Sequence, residues 1–257
     1  MKLHKITLLL ILLFNQVYSQ ELNDNVEKLK IYKTVSVKSY GNWTSVFELE
    51  NGFIVNQKNL SKKITTLIKK NIYDRNNNII YEISSYDINN GNKIDTISSY
   101  KYEYDELNRM ILKKAQFGMI EKFSDFSEFS KPKLIERLNE NEEAFDLEPF
   151  KEILEYDSIG NLVKETKFDN IYPEENNTIK KISIETNRFK YDDYGNITEI
   201  KREFTPKIKF PIEVLGGFPL YEHEKFEYKY NKNGLWVKKY LLVEGKKYLI
   251  KKREFSQ

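Results

Sequence analysis

The chain has 257 residues, with 42 Lys and Arg against 39 Asp and Glu, two His, 18 Tyr, 16 Phe and no Cys. That length can bury a sizeable core, and a formal charge of +3 lacks the clustered basic excess expected of a nucleic-acid binder. Without cysteine there is no disulfide, thiolate zinc site, iron–sulfur cluster or cysteine nucleophile.

Lys2 and Lys5 flank a basic start, Ile6–Phe14 is an apolar run, and Ser19 stands before Gln20. This is the pattern of a secretory signal peptide over residues 1–19, too short for the roughly 20 apolar residues that span a bilayer. The expectation is an exported protein, periplasmic or extracellular, with no integral membrane segment after cleavage. Cleavage takes Lys2 and Lys5 from the basic count and no acid, so the mature chain is close to neutral. It also takes His4, leaving His223 as the single histidine. A Ser-His-Asp triad or a multi-histidine metal site then has almost nothing to work with, so the expectation is no enzyme, no metal and no cofactor.

Residues 20–257 read as one antiparallel β domain. Ile31–Lys38, Trp43–Glu50 and Phe53–Gln57 alternate as strands, with Asn51-Gly52 as a two-residue type I′ hairpin signal. Beyond them five segments align on a tyrosine: Tyr73-Asp-Arg-Asn-Asn-Asn-Ile79, Tyr104-Asp-Glu-Leu-Asn-Arg-Met110, Tyr156-Asp-Ser-Ile-Gly-Asn-Leu162, Tyr191-Asp-Asp-Tyr-Gly-Asn-Ile197 and Tyr230-Asn-Lys-Asn-Gly-Leu-Trp236. The residue after the tyrosine is Asp74, Asp105, Asp157, Asp192 or Asn231, side chains that accept a bond from the backbone ahead and open a type I turn. Four after the tyrosine stand Asn77, Asn108, Gly160, Gly195 and Gly234, residues that tolerate the left-handed conformation a following G1 bulge requires. An apolar residue six after the tyrosine re-enters a packed strand. The incoming strands Tyr100-Lys-Tyr102-Glu-Tyr104 and Phe226-Glu-Tyr228-Lys-Tyr230 alternate with period two, as half-buried strands do.

The units at Tyr156 and Tyr191 resemble the YD repeat of the Rhs/YD-repeat family of secreted bacterial β-rich proteins, and the resemblance extends over about residues 60–255. It implies hairpins wound side by side; in that family long arrays form a shell, often around a C-terminal toxin, and carbohydrate binding has been proposed for the repeats. Here the tyrosines are spaced 31, 52, 35 and 39 residues apart, the array is short, and the stretch after Trp236 is too short for a toxin domain. The architecture expected is a mainly β fold of about a dozen strands, consecutive antiparallel hairpins in a curved meander, as an open sheet or partial barrel.

Two stretches interrupt the pattern. Ser130-Lys-Pro132 with Leu134, Leu138 and Phe145 after it predicts one short inserted helix over Lys133–Phe145 that covers a sheet face or edge. Pro206–Pro219, with Pro211, Gly216 and Gly217, is a loop by composition. Exposed loops on rigid scaffolds often carry function, so Gly216, Gly217, Phe218, Tyr221 and His223 form the candidate binding site. Alternation sends His223 to the side opposite Glu222 and Glu224, so the three do not converge on one ligand. The function expected is a secreted or envelope-associated non-enzymatic binding or structural module for a glycan or an envelope protein. The alternatives are an exported polysaccharide hydrolase using paired carboxylates, and an immunity or scaffold partner of a larger YD-repeat protein that pairs through sheet edges.

Overall fold

The computed structural model describes residues 26–41, 43–61, 64–88, 93–116, 118–139, 150–171, 181–214 and 217–257. The signal-peptide reading of residues 1–19 lies outside them. A one-turn helix α1 (Val26–Leu29) leads into β1 (Thr34–Ser39), β2 (Trp43–Glu50), β3 (Phe53–Ser61), β4 (Ile64–Tyr73), β5 (Ile79–Ile88), β6 (Lys93–Tyr104), β7 (Met110–Ala115) and β8 (Met119–Phe126). The chain continues through β9 (Pro132–Asn139), β10 (Phe150–Tyr156), β11 (Leu162–Ile171), β12 (Lys181–Tyr191), β13 (Ile197–Thr205), β14 (His223–Tyr230), β15 (Trp236–Val243) and β16 (Lys246–Ser256). Each strand pairs antiparallel with the next, and β1 pairs with β16 from Thr34↔Ser256 to Ser39↔Lys251. The sixteen strands therefore close into a barrel. The expected open sheet or partial barrel is corrected on this point. Closure satisfies both edges at once, but its two strands lie at opposite ends of the chain, where no local pattern links them.

The repeat turns form as their residue types dictate. In the first, the Asp74 amide donates to Asn78 O (2.9 Å), the Asn77 amide to Asp74 O (3.1 Å), and Asp74 Oδ1 accepts from the Asn76 and Asn78 amides. The same bonds recur at Asp105, Asp157, Asp192 and Asn231. Asn77, Asn108, Gly160, Gly195 and Gly234 all take positive φ, between 61° and 83°. A one-residue shift in register accompanies every one of the five tyrosines: Ile72 faces Tyr81, for example, while Tyr73 faces Ile79.

The predicted helix Lys133–Phe145 is a strand where it is described. Residues 140–149 lie outside the described residues, and Pro132–Asn139 is β9. The reason is a sixth turn at Phe126-Ser127-Glu128-Phe129-Ser130-Lys131-Pro132. There the Ser127 amide donates to Lys131 O (2.8 Å), Ser127 Oγ accepts from the Lys131 amide (3.2 Å), and Ser130 sits at φ 57°. Serine has replaced both the aspartate and the glycine, and Pro132 opens the strand where no ladder donor is lost. Leu134 and Leu138 stand four apart, an even spacing that keeps one face of a strand as well as of a helix.

In a meander all six turns fall at one end of the barrel, and they bond to one another. The hydroxyls of Tyr73, Tyr104, Tyr156 and Tyr191 donate to the carbonyls of Ile54, Ile79, Pro132 and Leu162 in the preceding hairpins, at 2.7–2.9 Å. In the last unit Tyr228 takes this role on Ile197 O (2.8 Å), while Tyr230 donates to the Asp192 carboxylate and stacks on Tyr194. Phe126 has no hydroxyl, and the Arg109 guanidinium lies over its ring at 4.3 Å instead. Leu29 of α1 packs at the same end with Val35, Val37, Phe47, Leu49, Leu235 and Trp236.

The outer face of the described wall carries ion pairs such as Lys58–Glu48 (2.7 Å), Lys164–Glu155 (2.6 Å) and Lys190–Glu199 (3.1 Å). No helix among the described residues is long and apolar enough to cross a membrane.

The turn geometry orders three substitutions. Gly195→Val forces a β-branched residue into the left-handed region, at about 1–2 kcal/mol, with open space around its Cβ. Gly160→Val costs more, because its Cβ would also stand 2.9 Å from the Phe129 ring. Asn161→Ser loses one side-chain bond to Asp157 (3.1 Å) and costs about 0.5–1 kcal/mol. Urea melts should rank stability loss as Gly160→Val, then Gly195→Val, then Asn161→Ser; equal midpoints contradict the turn assignment.

Candidate functional site

The end of the barrel opposite the repeat turns carries the connection between β13 and β14, residues 206–222. A buried ion pair holds its base. Arg202 of β13 reaches Glu224 of β14 with two contacts of 3.1 Å, the two side chains being 11% and 6% exposed. Arg202 also donates to Tyr221 O (2.8 Å), and Glu224 accepts from the Tyr221 amide (3.1 Å). Buried charges persist only when paired and hydrogen-bonded, and here the pairing doubles as an anchor for the returning chain. An Ile212↔Leu220 bridge and the Gly217 amide on Val214 O (3.1 Å) fold the loop on itself. The Thr205–Pro206 and Phe210–Pro211 bonds are cis.

Phe218 is the hub of the aromatic cluster this loop carries. Its ring centroid lies 5.2 Å from Tyr40, edge to face, 5.1 Å from Tyr248 and 6.4 Å from Tyr221. Beneath, Phe218 and Tyr221 pack on Ile197, Phe226 and Leu241. Above, Tyr40 is 54% exposed and Tyr248 36%, so the cluster is rooted in the core and open at its top. Burial pushes the Tyr221 hydroxyl above its ordinary pKa, with the charges of Glu244, Glu213 and Glu224 adding to it.

Of the expected site residues, Gly217, Phe218 and Tyr221 come together here, and Gly216 lies outside the described residues. His223 does not join them. It sits on the outer wall, its Nε2 3.2 Å from Glu199 Oε1. Burial alone pushes the Glu199 carboxyl up, but the Lys190 bond and the charges of Lys190, His223 and Lys201 outweigh it and hold the group low. Glu224 faces the interior, as alternation required. Tyr40, Tyr248 and Arg202 were not singled out in the sequence. Tyr248 in β16 reaches Phe218 through the consecutive pairs Phe226↔Leu241 and Leu241↔Tyr248, whereas Tyr40, just after β1, is brought there only by barrel closure.

The inner face holds a second cluster. Glu121 binds Arg137 (2.6 Å) and Lys113 (3.4 Å), and Arg137 lies over the Phe150 ring at 4.4 Å. Glu152 and Glu165, 3% and 8% exposed, hydrogen-bond each other, and Glu165 also takes Lys167 (2.8 Å) and Asn187 (2.9 Å). Burial first, then the bond to Glu165 and its charge, push the Glu152 carboxyl up to about 8. Burial works upward on Glu165 too, but the Glu152 bond, Lys167 and Asn187 overcome it, so the shared proton resides on Glu152. Two carboxyls in direct contact are closer than the roughly 5 Å or more that acid–nucleophile glycoside hydrolysis uses. Among the described residues no three His, Cys, Asp or Glu side chains gather as a metal site.

This pair has a pH signature. The folded barrel keeps the Glu152 proton where an unfolded glutamate, at 4.5, has lost it, so the native state binds more protons between about pH 4.5 and 8. Stability therefore falls as pH rises through that window, by at most about 1.4 kcal/mol per pH unit. Glu152→Gln keeps a donor toward Glu165 and removes the proton. Its urea midpoint should vary less across the window than that of the wild type; identical slopes refute the shared proton.

No family model matches the chain, and no curated protein matches it significantly. Among solved structures it is similar to a chain of the TcdB2-TccC3-Cdc42 crystal structure, at 14% identity and a TM-score of 0.32, covering 79% of this chain and 12% of that one. It is also similar to a chain of the Photorhabdus luminescens Tc holotoxin pore, at 11% identity and a TM-score of 0.33 with the same coverages. A porin-like protein from Bacteroides uniformis aligns over 88% of this chain and 98% of its own, at 8% identity and a TM-score of 0.38. The chain thus spans 12% of the toxin chains it resembles.

Proposed function

We propose that this chain is an exported, non-enzymatic β-barrel that binds a glycan at the end opposite the repeat turns, through the Tyr40–Phe218–Tyr248 cluster. The observation that carries the reading is that cluster: aromatic rings partly exposed at the rim, yet fixed by the core below and by the Arg202–Glu224 anchor. Aromatic rings with an apolar face and a polar tip make large contacts at little conformational cost. A preorganised set loses little entropy when a sugar ring settles on it.

The export reading rests on the leader pattern of residues 1–19, and the periplasm or the cell exterior is the destination it supports. Charges on the outer wall suit water there. A lipid-facing barrel instead presents an apolar band about 25 Å tall.

Rival readings draw less support. A hydrolase would need separated carboxyls in a cleft, whereas Glu152 and Glu165 touch inside the wall. An immunity or scaffold partner recruited by edge pairing would need an edge, and β1 and β16 use theirs on each other.

The test is a glycan array probed with the full chain and with Tyr40→Ala/Tyr248→Ala, a variant that removes exposed rings. Binding of one or more neutral glycans by the wild type, reduced at least roughly tenfold in the variant at unchanged melting temperature, is the expected result. Equal retention by both proteins, or no retained glycan at all, sinks the proposal.

A further inference from the structure

On the outer face of the barrel, four adjacent strands present a lysine at directly paired positions. Lys229 of β14 faces Lys238 of β15, Lys238 faces Lys252 of β16, and Lys252 faces Lys38 of β1. Strands stand about 4.8 Å apart, so the four lysines arise in one row about 15 Å long that follows the curve of the wall across the closing seam. Like charges directly opposite each other destabilise a sheet, and neutral residues would pair here at no cost. Glu254 offsets one end of the row, accepting from Lys252 (2.8 Å) and Lys38 (3.3 Å). Among the described residues no acid pairs with Lys229 or Lys238.

We propose that this row is a binding strip for a linear acidic polysaccharide, one anionic group seated per strand. The width of the strip selects the partner. On one side the next outward position of β16 is Glu254; on the other, the next outward position of β14 is Glu227, which is paired with Lys247. The positive surface is therefore one residue wide, with one carboxylate on each side of it. A single anionic chain lies along such a strip, whereas a membrane surface or a duplex would press its charges onto the bordering acids. Beside the strip stands Tyr240, with Lys247 over its ring at 4.5 Å. That cation covers the ring that would otherwise be a platform for a base, and single-strand binders stack bases on exposed rings; a sugar chain needs none. The strip lies on the wall and shares no residue with the rim cluster, although Lys38 stands two residues from Tyr40, so it stands or falls without the neutral-glycan reading of the rim.

The test measures binding of the full chain to polygalacturonate and to the same polymer fully methyl-esterified, which is neutral at equal length. The wild type should bind the acid form and ignore the ester. Lys229→Gln/Lys238→Gln should weaken binding roughly tenfold and make the salt dependence shallower by about one to two in log–log slope. Lys58→Gln/Lys164→Gln, an equal charge loss elsewhere on the wall, should leave affinity within about twofold. Glu254→Gln removes the offsetting acid and should tighten binding. Equal binding of the ester, equal loss in both lysine pairs, or tighter binding of phosphatidylglycerol vesicles or a thymidine oligonucleotide through the same lysines each overturns the proposal. Loss of neutral-glycan binding in Tyr40→Ala/Tyr248→Ala leaves this result untouched, which keeps the two sites distinguishable.

Discussion

A tyrosine hydroxyl bonded to the main chain of the preceding hairpin governs how the units of this barrel meet. A hairpin turn fixes only its own two strands; the next hairpin could slide along it by two residues and still bury the same face. The hydroxyl removes that freedom. Tyr104 reaches Ile79 and Tyr191 reaches Leu162, in each case the residue opposite the preceding unit's own tyrosine, beside the one-residue register shift. A bulge breaks the ladder locally and raises the twist, and a main-chain carbonyl taken out of its ladder needs another donor. The repeat supplies that donor from the neighbouring unit, so the irregularity that curves the wall is also the point at which hairpins are locked together.

Curvature carried through sixteen strands leads to closure, and closure changes what the interior must contain. A small barrel fills with aliphatic side chains, but a wall of this many strands encloses more space than they can reach. The inner face answers with long and charged side chains laid on aromatic rings: Lys113 over Tyr100 at 4.5 Å, Arg137 over Phe150 at 4.4 Å and Arg253 over Trp236 at 3.7 Å. Such stems cover apolar surface while their heads find acids. Glu152 is where this solution runs short of cations. With Lys167 already on Glu165, the neighbouring carboxyl stays neutral by keeping a proton, which is the alternative to pairing for a buried acid.

The parts of this fold that were legible in the sequence are those in which a residue type answers a local backbone demand. Asp74, Asn77 and Gly195 each announce a turn position, and Asn51-Gly52 announces a hairpin, because φ and the amide ahead constrain them within four residues. The Phe126 turn escaped since its three marker columns all changed, to Phe, Ser and Ser, while the bonds survived. That loss made a strand pair look like an inserted helix. Closure was illegible for a different reason: Thr34 and Ser256 carry no mark of each other, and pairing between chain ends is decided by accumulated curvature. The rim site inherits both cases. Phe218 and Tyr221 were visible as residues of a Pro- and Gly-rich loop, whereas Tyr248 joins them through the β14–β15–β16 registers and Tyr40 only because the barrel closes. His223 attracted notice as a lone titratable group, and simple alternation placed it on the outer wall.

The two ends of the barrel are therefore under unequal constraint. At the repeat end, each turn is bonded to the next through Tyr hydroxyls, the Asn78–Asn108 side chains and Lys131 on Gly160 O, so a change in one turn is felt by its neighbour. At the other end, a connection has only to rejoin two strands already held in register from below. Insertions there cost little, since loop-closure entropy grows slowly with length, and residues 206–222 are the longest such connection. Yet a long loop is useful for recognition only if it is held still. Arg202 and Glu224 meet that need by placing an anchoring ion pair in the wall directly beneath the loop, where both strands are already fixed by the repeat. Rigidity at the turn end thus makes room for variation at the opposite end, and it does so strand by strand, through the same registers that align the lysines on the outer wall.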